Sequence, residues 1–453
     1  MKTKRWSADA AGFAAGLTMI VVAALWVRQG GVLEVAGGGW AAVAAIGRLA
    51  GLFASDLMLL QVLLLARIPW VERAFGQDQL ARWHRWVGFT SFHLMLAHIV
   101  LITLGYAGPV QDNVLHTFWD LITKYPGMLL AVAGAAAIVM VVVTSIKAAR
   151  RRLRYESWHL LHLYAYLGVG LALPHQLWTG ADFLASPLAR AYWWTLWAGT
   201  AAAIVIFRLG LPAWRTARHR LEVAEVVPEG PGLTSVYLKG RFLDRLPVHA
   251  GQFFQWRFLD GPGWSRAHPY SLSGPPRRDR LRITVKDLGD GSSRVATLRP
   301  GTRVLVEGPY GRLTGEVYDG GPVTMIACGI GITPLLALLW DLPYRDGEAT
   351  LVYRARSAQE LAFRSEIEWL AARRGVRVVP LLGPRVQDSW LPHGYAESSG
   401  RSGELAALRR IVPDLRGQHL YVCGPDEWTA GVRRTAAEAG VAPDRIHLEH
   451  FAW

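Results

Sequence analysis

Four histidines stand inside long apolar stretches, where ionisable side chains are costly and usually functional. HRWVGFTSFHLMLAH sets His84 and His98 fourteen residues apart, and WHLLHLYAYLGVGLALPH sets His162 and His175 thirteen apart. On α-helices the members of each pair are roughly 20 Å apart along the axis. Against a hydrocarbon core of about 30 Å, one imidazole of each pair falls near each leaflet boundary. Two helices with imidazoles at matching depths can clamp two stacked haems, each iron held between two rings. Zinc is the rival, but its ligands gather within about 2 Å of one ion, and each pair is too widely spaced along its helix for a single site. A lone membrane histidine that hydrogen-bonds a neighbouring helix is the plainer reading, and it suffices for His93 and His159. The facing is uneven: His98 returns to within about 40° of His84, whereas His175 lies about 140° from His162. Pro174, with Gly168 and Gly170 upstream, offers a kink that re-aims the ring.

A second set of chemistry-bearing residues lies beyond residue 260. In VKDLGDGSSR, Gly289, Gly291 and Ser292 offer backbone and hydroxyl donors as an anion nest, or else an ordinary glycine turn. MIACGIGITPLLALL runs from an apolar strand through Gly329 and Gly331 into a helix, a path that lets backbone approach a pyrophosphate at a helix N-terminus. Such a loop is weak alone; its force comes from ATLVYRARS, VRVVPLLG and HLYVCGP, which alternate with helical segments as a doubly wound domain does. LVYRARS ends without an acidic residue for a ribose 2′-hydroxyl. Arg354 and Arg356 stand there instead, favouring a 2′-phosphate unless both are simply solvated.

The elements that must position these residues differ between the halves of the 453-residue chain. Up to Pro212, Ala, Leu, Val, Gly and Trp dominate; beyond His219, charged residues and Gly/Pro turns reach ordinary soluble density. Six stretches approach the ~20 residues a span needs: Ala8–Val27, Ala41–Ala66, Val87–Tyr106, Pro126–Ile146, Trp158–Trp178 and Ala191–Leu211. No small-residue cleavage site follows Val27, so the first is expected to be an uncleaved anchor. Lys2, Lys4, Arg5, the Arg67–Arg85 connection, the Lys147–Arg154 run and Arg215, Arg218 and Arg220 fall on one side of alternating spans; the other side offers Arg28, Lys124 and Arg190. The positive-inside rule then makes both termini cytoplasmic. The net charge of +14 reads as topology and contact with anionic lipid, not as a nucleic-acid footprint, and no nucleic-acid motif is present. Cys328 and Cys423 are too few for a zinc site or disulfide framework. In the second span Arg48 either pairs with a haem propionate or snorkels to headgroups; Asp56, near mid-membrane, has no evident task. The β-rich runs LEVAEVV, TSVYLKG, QFFQWRF, LRITVK and TRVLVEG predict a small antiparallel barrel.

The histidine pairs on the third and fifth of six spans, WHLLH with its tryptophan four residues before His162, HPYSLS, EGPYG, GIGITP and CGP, in that order, resemble the NADPH oxidase and ferric reductase families. That resemblance covers nearly the whole chain from Ala41 and implies two b-type haems, held by His84 and His162 on the cytoplasmic side and by His98 and His175 on the outer side. It implies FAD along Arg266, His268, Pro269, Tyr270, Ser271, Ser273, Lys286, Gly289, Gly291 and Ser292, with Tyr270 covering a flavin face and Ser271 near N5. His268 stands where the soluble ferredoxin–NADP reductases have arginine. NADPH is implied along Gly329, Gly331, Thr333, Pro334, Arg354, Arg356, Cys423, Gly424 and Pro425, with Cys423 beside the nicotinamide. The ending HLEHFAW is similar to the Glu-x-Phe ending of NADPH oxidases, so Glu449 and Phe451, or Trp453 in its place, are expected at the flavin; Ser271, Cys423 and Phe451 are the candidate catalytic residues.

The expected architecture is a six-helix membrane haem bundle over 1–212, a β-barrel FAD domain over 219–316 and an α/β nucleotide domain over 320–453. The expected activity is electron transfer from cytoplasmic NADPH through FAD and two haems b to an acceptor across the cell membrane. That acceptor is O2, with superoxide as product, or a ferric chelate; the outer connections carry only His116, Asp112 and Asp120 as a possible metal cluster. A transporter or sensor with a regulatory nucleotide domain is the reading from another class, and it predicts no haem.

Overall fold

The computed structural model describes residues 2–146, 155–184, 186–395 and 400–450. The basic run Lys147–Arg154 and the terminal Phe451, Ala452 and Trp453 lie outside the described residues, as do the side chains of Lys2, Lys4 and Arg5. The chain divides into two compact units, Met1–Leu209 and Gly210–Trp453.

The first unit is helical: α1 (Lys2–Arg28), α2 (Gly31–Gly37), α3 (Gly39–Leu64), α4 (Pro69–Phe75), α5 (Gln77–Val110), α6 (Val114–Lys124), α7 (Met128–Ser145), α8 (Tyr155–Trp178), α9 (Ala181–Leu184) and α10 (Pro187–Ala203). A π-helical stretch over Ile204–Gly210 leads into α11 (Leu211–His219). Helix is the form these runs must take in lipid, because each backbone N–H and C=O has to be satisfied within the segment. Among the described residues, five helices are long and apolar enough to cross a membrane: Asp9–Arg28, Gly39–Leu64, Gln79–Val110, Met128–Ser145 and Pro187–His219. Helix α8 has the length, at 24 residues, but His159, His162, His175 and Gln176 dilute its apolar character. It continues through Pro174 to Trp178.

Glycines bring the helices together. A Cβ on Gly134 of α7 would lie 2.6 Å from the Gly168 carbonyl oxygen of α8, and one on Gly105 of α5 would lie 2.7 Å from Ala44 Cβ of α3. Small residues at such crossings let backbones approach where lipid supplies no hydrophobic drive.

The second unit holds β1 (Glu222–Gly230), β2 (Leu233–Lys239), β3 (Phe253–Phe258), β4 (His268–Ser271), β5 (Arg280–Lys286) and β6 (Val304–Tyr310) in two antiparallel sheets, ordered β1-β2-β5 and β4-β3-β6. Isolated bridges Glu222–Arg303 and Leu272–Ile283 link them. Strand β3 alternates half-buried and buried residues, the period-two pattern of a half-buried strand. Its Phe254 and Trp256 are fully buried, each worth roughly 3–5 kcal/mol against alanine. Trp256 Nε1 donates to the Tyr270 carbonyl at 2.9 Å, so core packing also fixes where β4 lies.

Beyond a short α12 (Asp290–Ser293) comes a parallel sheet of β7 (Val323–Cys328), β8 (Ala349–Ala355), β9 (Arg377–Leu382), β10 (His419–Gly424) and β11 (Ile446–His450), ordered β11-β10-β7-β8-β9. Strand β8 is buried along its whole length, as a parallel strand covered on both faces should be. Helices α13 (Ile332–Asp341), α14 (Arg364–Arg374), α15 (Arg401–Ile411) and α16 (Asp426–Glu438) alternate with the strands. Strand order reverses between β7 and β10, the switch point at which doubly wound sheets open a crevice for ligand.

Candidate functional site: paired imidazoles and a nucleotide crevice

In the helical unit each of the four histidines has Nδ1 engaged. It lies 3.1 Å from the Gln61 carbonyl oxygen for His84, 2.8 Å from that of Gly47 for His98 and 2.5 Å from that of Ala172 for His175. A carbonyl only accepts, so in these three Nδ1 carries the proton and Nε2 presents its lone pair, the tautomer of a metal-ligating imidazole. His162 Nδ1 meets Ser145 Oγ at 3.3 Å, and Trp158 Nε1 donates to the same oxygen at 3.3 Å. The rings of His84 and His162 have centroids 5.9 Å apart. An imidazole nitrogen binds a first-row metal at roughly 2 Å, so two imidazoles on opposite sides of one ion have centroids about 6 Å apart, and this pair fits. His98 and His175 lie within electrostatic range of one another. His93 does not join them: its Nδ1 is bonded 2.7 Å away to Phe89 of its own helix and the residue is exposed. His159 is exposed as well.

The residues that aim the rings escaped the sequence reading, although GRLAG in α3, with Gly47 and Gly51 four apart, was a readable small-residue signal. A Cβ on Gly51 would stand 2.5 Å from His98 Nδ1 and 2.7 Å from its Cε1. One on Gly127, where φ is +81°, would stand 2.8 Å from the backbone nitrogen of His175. Gly51→Ala should therefore swing His98 off the Gly47 carbonyl and cost the purified variant whatever haem that ring holds. Pyridine haemochromogen assay checks this, and a haem content equal to that of wild type would refute it.

The Arg48 guanidinium is paired with Glu34 and, at 3.3 Å, with Asp182, so two carboxylates answer its charge. Asp56 is fully buried and accepts from Tyr192 Oη at 2.7 Å and Thr18 Oγ1 at 3.0 Å, tying α1, α3 and α10 together.

In the second unit, β4 presents the flavin motif. His268 and Tyr270 stack with centroids 5.9 Å apart and planes within 9°. Burial pushes the Tyr270 phenol up, so it stays neutral. Ser271 is buried and its Oγ meets no hydrogen-bond partner among the described residues. An orphaned buried hydroxyl costs about 1–3 kcal/mol, and a flavin ring atom is the kind of group that would satisfy it. Next to the motif is a cavity of about 230 Å³ lined by Phe258, Trp264, Arg266, His268, Gly291 and Arg294, among others. Its aromatic and cationic walls suit the adenine and phosphate portion of a dinucleotide. Trp264 and Arg294 were not singled out from sequence; Arg294 is held at the rim by Asp260 at 2.9 Å.

Three expected flavin contacts are otherwise engaged. The Gly289 N–H donates to Asp287 at 2.9 Å, and Ser292 Oγ accepts from the Leu288 N–H at 2.8 Å while donating to the Gly289 carbonyl at 2.7 Å. An Asx turn at Asp287 thus consumes donors that the sequence had offered to an anion. Gly291 remains at the cavity, where a Cβ would collide with His268 Cε1 at 2.2 Å. Ser273 is fully buried and its Oγ accepts from Arg282 Nε at 3.1 Å and Thr284 Oγ1 at 2.7 Å, so it supports the motif from behind. Lys286 is half-buried at the end of β5, and Pro269 is exposed.

The crevice between β7 and β10 gathers the nucleotide residues. Gly329 has φ +55°, and a Cβ on Gly331 would lie 2.2 Å from the Cys423 carbonyl oxygen, so the turn crosses the neighbouring strand too closely for any side chain. Thr333 Oγ1 donates to the Ile330 carbonyl at 3.0 Å and, with Pro334, opens α13. A Cβ on Gly424 would meet Cys328 Cβ at 2.9 Å, and Pro425 precedes α16. Two helix N-termini therefore converge on the crevice, each favouring an anion. Burial pushes the Cys328 thiol up against the opposing pull of Arg354, Lys286, Arg385 and Arg356, four cations around a site fit for a polyanion. Cys423 is fully buried, and burial first, then Glu449, raises its thiol well above the usual range. Its thiol therefore stays neutral. Glu449 pairs with Cys423 in the β10–β11 register, and its Oε2 lies 3.4 Å from the position of a Gly311 Cβ, beside EGPYG.

Arg354 departs from expectation. It is buried, with its guanidinium on the carbonyls of Ala355 and, at 3.0 Å, Pro384. Arg356 is exposed just past β8 and is the residue left to meet a 2′-phosphate.

A glycine turn at the switch point of a doubly wound sheet suits a dinucleotide, and comparison with known proteins points the same way. Residues 50–173 match the family described as ferric reductase like transmembrane component, a segment that includes His84, His98 and His162, and residues 325–434 match the oxidoreductase NAD-binding domain. The chain thus carries a segment similar to ferric reductase-like transmembrane components, followed by one similar to oxidoreductase NAD-binding domains. It is 32% identical over 259 residues to a flavohemoprotein of Bordetella pertussis, covering 53% of this chain and 61% of that protein. It is 29% identical over 241 residues to the ferredoxin reductase component of 3-ketosteroid-9-alpha-monooxygenase from Mycolicibacterium smegmatis, covering 51% and 65%. Its fold matches the flavohem-like FAD/NAD binding domain of nitric oxide dioxygenase from Vibrio cholerae with a TM-score of 0.43 at 24% identity, covering 52% of this chain and 99% of that one. The chain spans about three-fifths of the length of the flavohemoprotein.

Proposed function

We propose that this protein carries electrons from cytoplasmic NADPH, by way of FAD and two b-type haems, to O2 on the opposite side of the membrane. The observation that carries the reading is the set of four imidazoles in apolar helices, each with Nδ1 hydrogen-bonded and the first pair spaced for one ion. Helices α1, α3, α5, α7, α8 and the α10–α11 run are the six spans, with both termini cytoplasmic as the basic connections require. The domains divide near 1–212, 219–316 and 320–453.

When bound, FAD supplies the conversion of a two-electron hydride into single electrons and the haems supply a path for them across the bilayer. The protein's own residues bind and orient. His84 with His162, and His98 with His175, would hold the two haems. Tyr270, Ser271, Arg266, His268 and Arg294 would hold FAD, with Tyr270 and Ser271 on the side of its ring and the cations on the side of its phosphates. The Gly329–Gly331 turn and the start of α13 would hold the NADPH pyrophosphate and Arg356 its 2′-phosphate. Cys423, Gly424 and Glu449 wall the nicotinamide side and exclude water there, joined by Phe451 or Trp453.

O2 is favoured as acceptor because His116, Asp112 and Asp120, the possible chelate contacts of the outer connections, are turned on one another. His116 Nδ1 bonds Asp112 at 2.8 Å and Lys124 pairs with Asp120 at 2.5 Å. A small neutral acceptor needs no such contacts. The test is anaerobic reduction of the purified full chain with NADPH, followed by O2 or ferric citrate in separate mixes. Fast reoxidation by O2 with superoxide formed supports the reading, fast reoxidation by ferric citrate alone makes the protein a ferric-chelate reductase, and a spectrum without haem rejects both.

A further inference from the structure

We propose that Arg282 is a positioning residue which locks the nucleotide sheet to the flavin motif and thereby fixes the gap across which hydride moves. The inference rests on the assignment of FAD to His268–Ser271 and of NADPH to the glycine turn after β7.

Arg282, on β5, makes a fork-to-fork pair with Glu366 of α14: Nη1 to Oε2 at 2.8 Å and Nη2 to Oε1 at 3.1 Å. The same guanidinium donates through Nε to Ser273 Oγ at 3.1 Å and through Nη2 to the Ser273 carbonyl. Ser273 lies two residues beyond Ser271, and the pair is held from both sides, since the Ser273 N–H donates to the Arg282 carbonyl at 2.8 Å. On the far side, Glu366 Oε1 also accepts from Trp340 Nε1. Trp340 stands in the last turn of α13, the helix whose first residues follow the Gly329–Gly331 turn. Phe363 lies with its ring centroid 5.2 Å from the guanidinium carbon.

A chain of contacts therefore runs from Ser273, two residues beyond Ser271, through Arg282, Glu366 and Trp340 to the helix that bears the glycine turn. The pair is largely withdrawn from water, with side chains 12% and 22% exposed. Partly buried ion pairs add little stability over apolar contacts, because desolvation offsets attraction. What a bidentate fork does supply is a fixed orientation and register. An apolar contact at this seam would bind as well but allow sliding. Hydride transfer needs reacting atoms held about 3–3.5 Å apart, and a misplacement of 1 Å costs on the order of 100-fold.

The test is anaerobic stopped-flow reduction of the flavin by NADPH in the full-length protein, with wild type, Arg282→Gln and Glu366→Gln compared over a range of NADPH concentrations. The expected result is a limiting rate lowered roughly 10- to 100-fold, with half-saturating NADPH and FAD content near wild type. Glu366→Gln, which removes the charge but retains the shape, should fall in between, and it carries the test alone should Arg282→Gln fail to fold. Limiting rates equal to wild type, or a loss confined to FAD content or NADPH affinity, would overturn the positioning role. A wild-type flavin that NADPH does not reduce would instead overturn the functional assignment itself, and this inference with it.

Discussion

His162→Leu should leave one haem per chain where wild type holds two, and His98→Leu should do the same for the other pair. Leucine is apolar and comparable in bulk, so a lipid-facing helix tolerates it, but it offers no lone pair. Loss of partners that merely orient a ligand already costs about 10–100-fold in metal affinity, and loss of the ligand exceeds that. His84 and His162 face one another at 5.9 Å, so either substitution empties the same site, while His93→Leu, at an exposed ring bonded to its own helix, should retain both haems. The two sites act in series, so each ligand variant should reduce O2 at background rates while its flavin is still reduced by NADPH. Haem-to-flavin ratios measured on the purified variants decide the matter; two haems retained in both His162→Leu and His98→Leu would sink the assignment.

Arg356→Asp should lower the ratio of kcat/KM for NADPH over NADH by roughly 10- to 100-fold. A hydrogen bond to a charged group contributes about 1.5–3 kcal/mol, and about 1.4 kcal/mol is tenfold; the introduced carboxylate adds repulsion to the loss. The effect should sit in KM more than in kcat, because the 2′-phosphate is far from the reacting carbon and binds equally in ground and transition states. Arg354→Gln should leave the ratio near wild type and lower stability, since it strips the guanidinium from the Ala355 and Pro384 carbonyls. An unchanged ratio in Arg356→Asp would show that the residue is a solvated surface cation.

Much of this site was legible in the sequence. Apolar runs of span length, histidines inside them, and a strand–glycine–helix pattern are local features, set by composition and by periods of two and 3.6 residues. They placed five of the six expected spans in helices long and apolar enough to cross a membrane, put four imidazoles on two helices, and located the turn at Gly329–Gly331. The same local logic did not foresee which side chains would find partners nearby. Asp287 captured the Gly289 N–H, Ser292 closed its own turn, and Arg354 was drawn to backbone carbonyls.

The tertiary structure alone decided which hydrogen bond fixes the rings of His84 and His98 and which cation stays open. Gly47 and His98 are 51 residues apart and Arg282 and Glu366 are 84 apart. Such partners meet only when helices cross or sheets dock, and no spacing within a segment encodes them. Residue type thus determined that imidazoles, glycine turns and arginines were available to this protein. Packing determined that Nδ1 of His84 and of His98 points at a carbonyl of α3, that Ser271 meets no partner among the described residues, and that Arg356, not Arg354, faces outward, because a buried donor must take whatever acceptor the fold places within its reach.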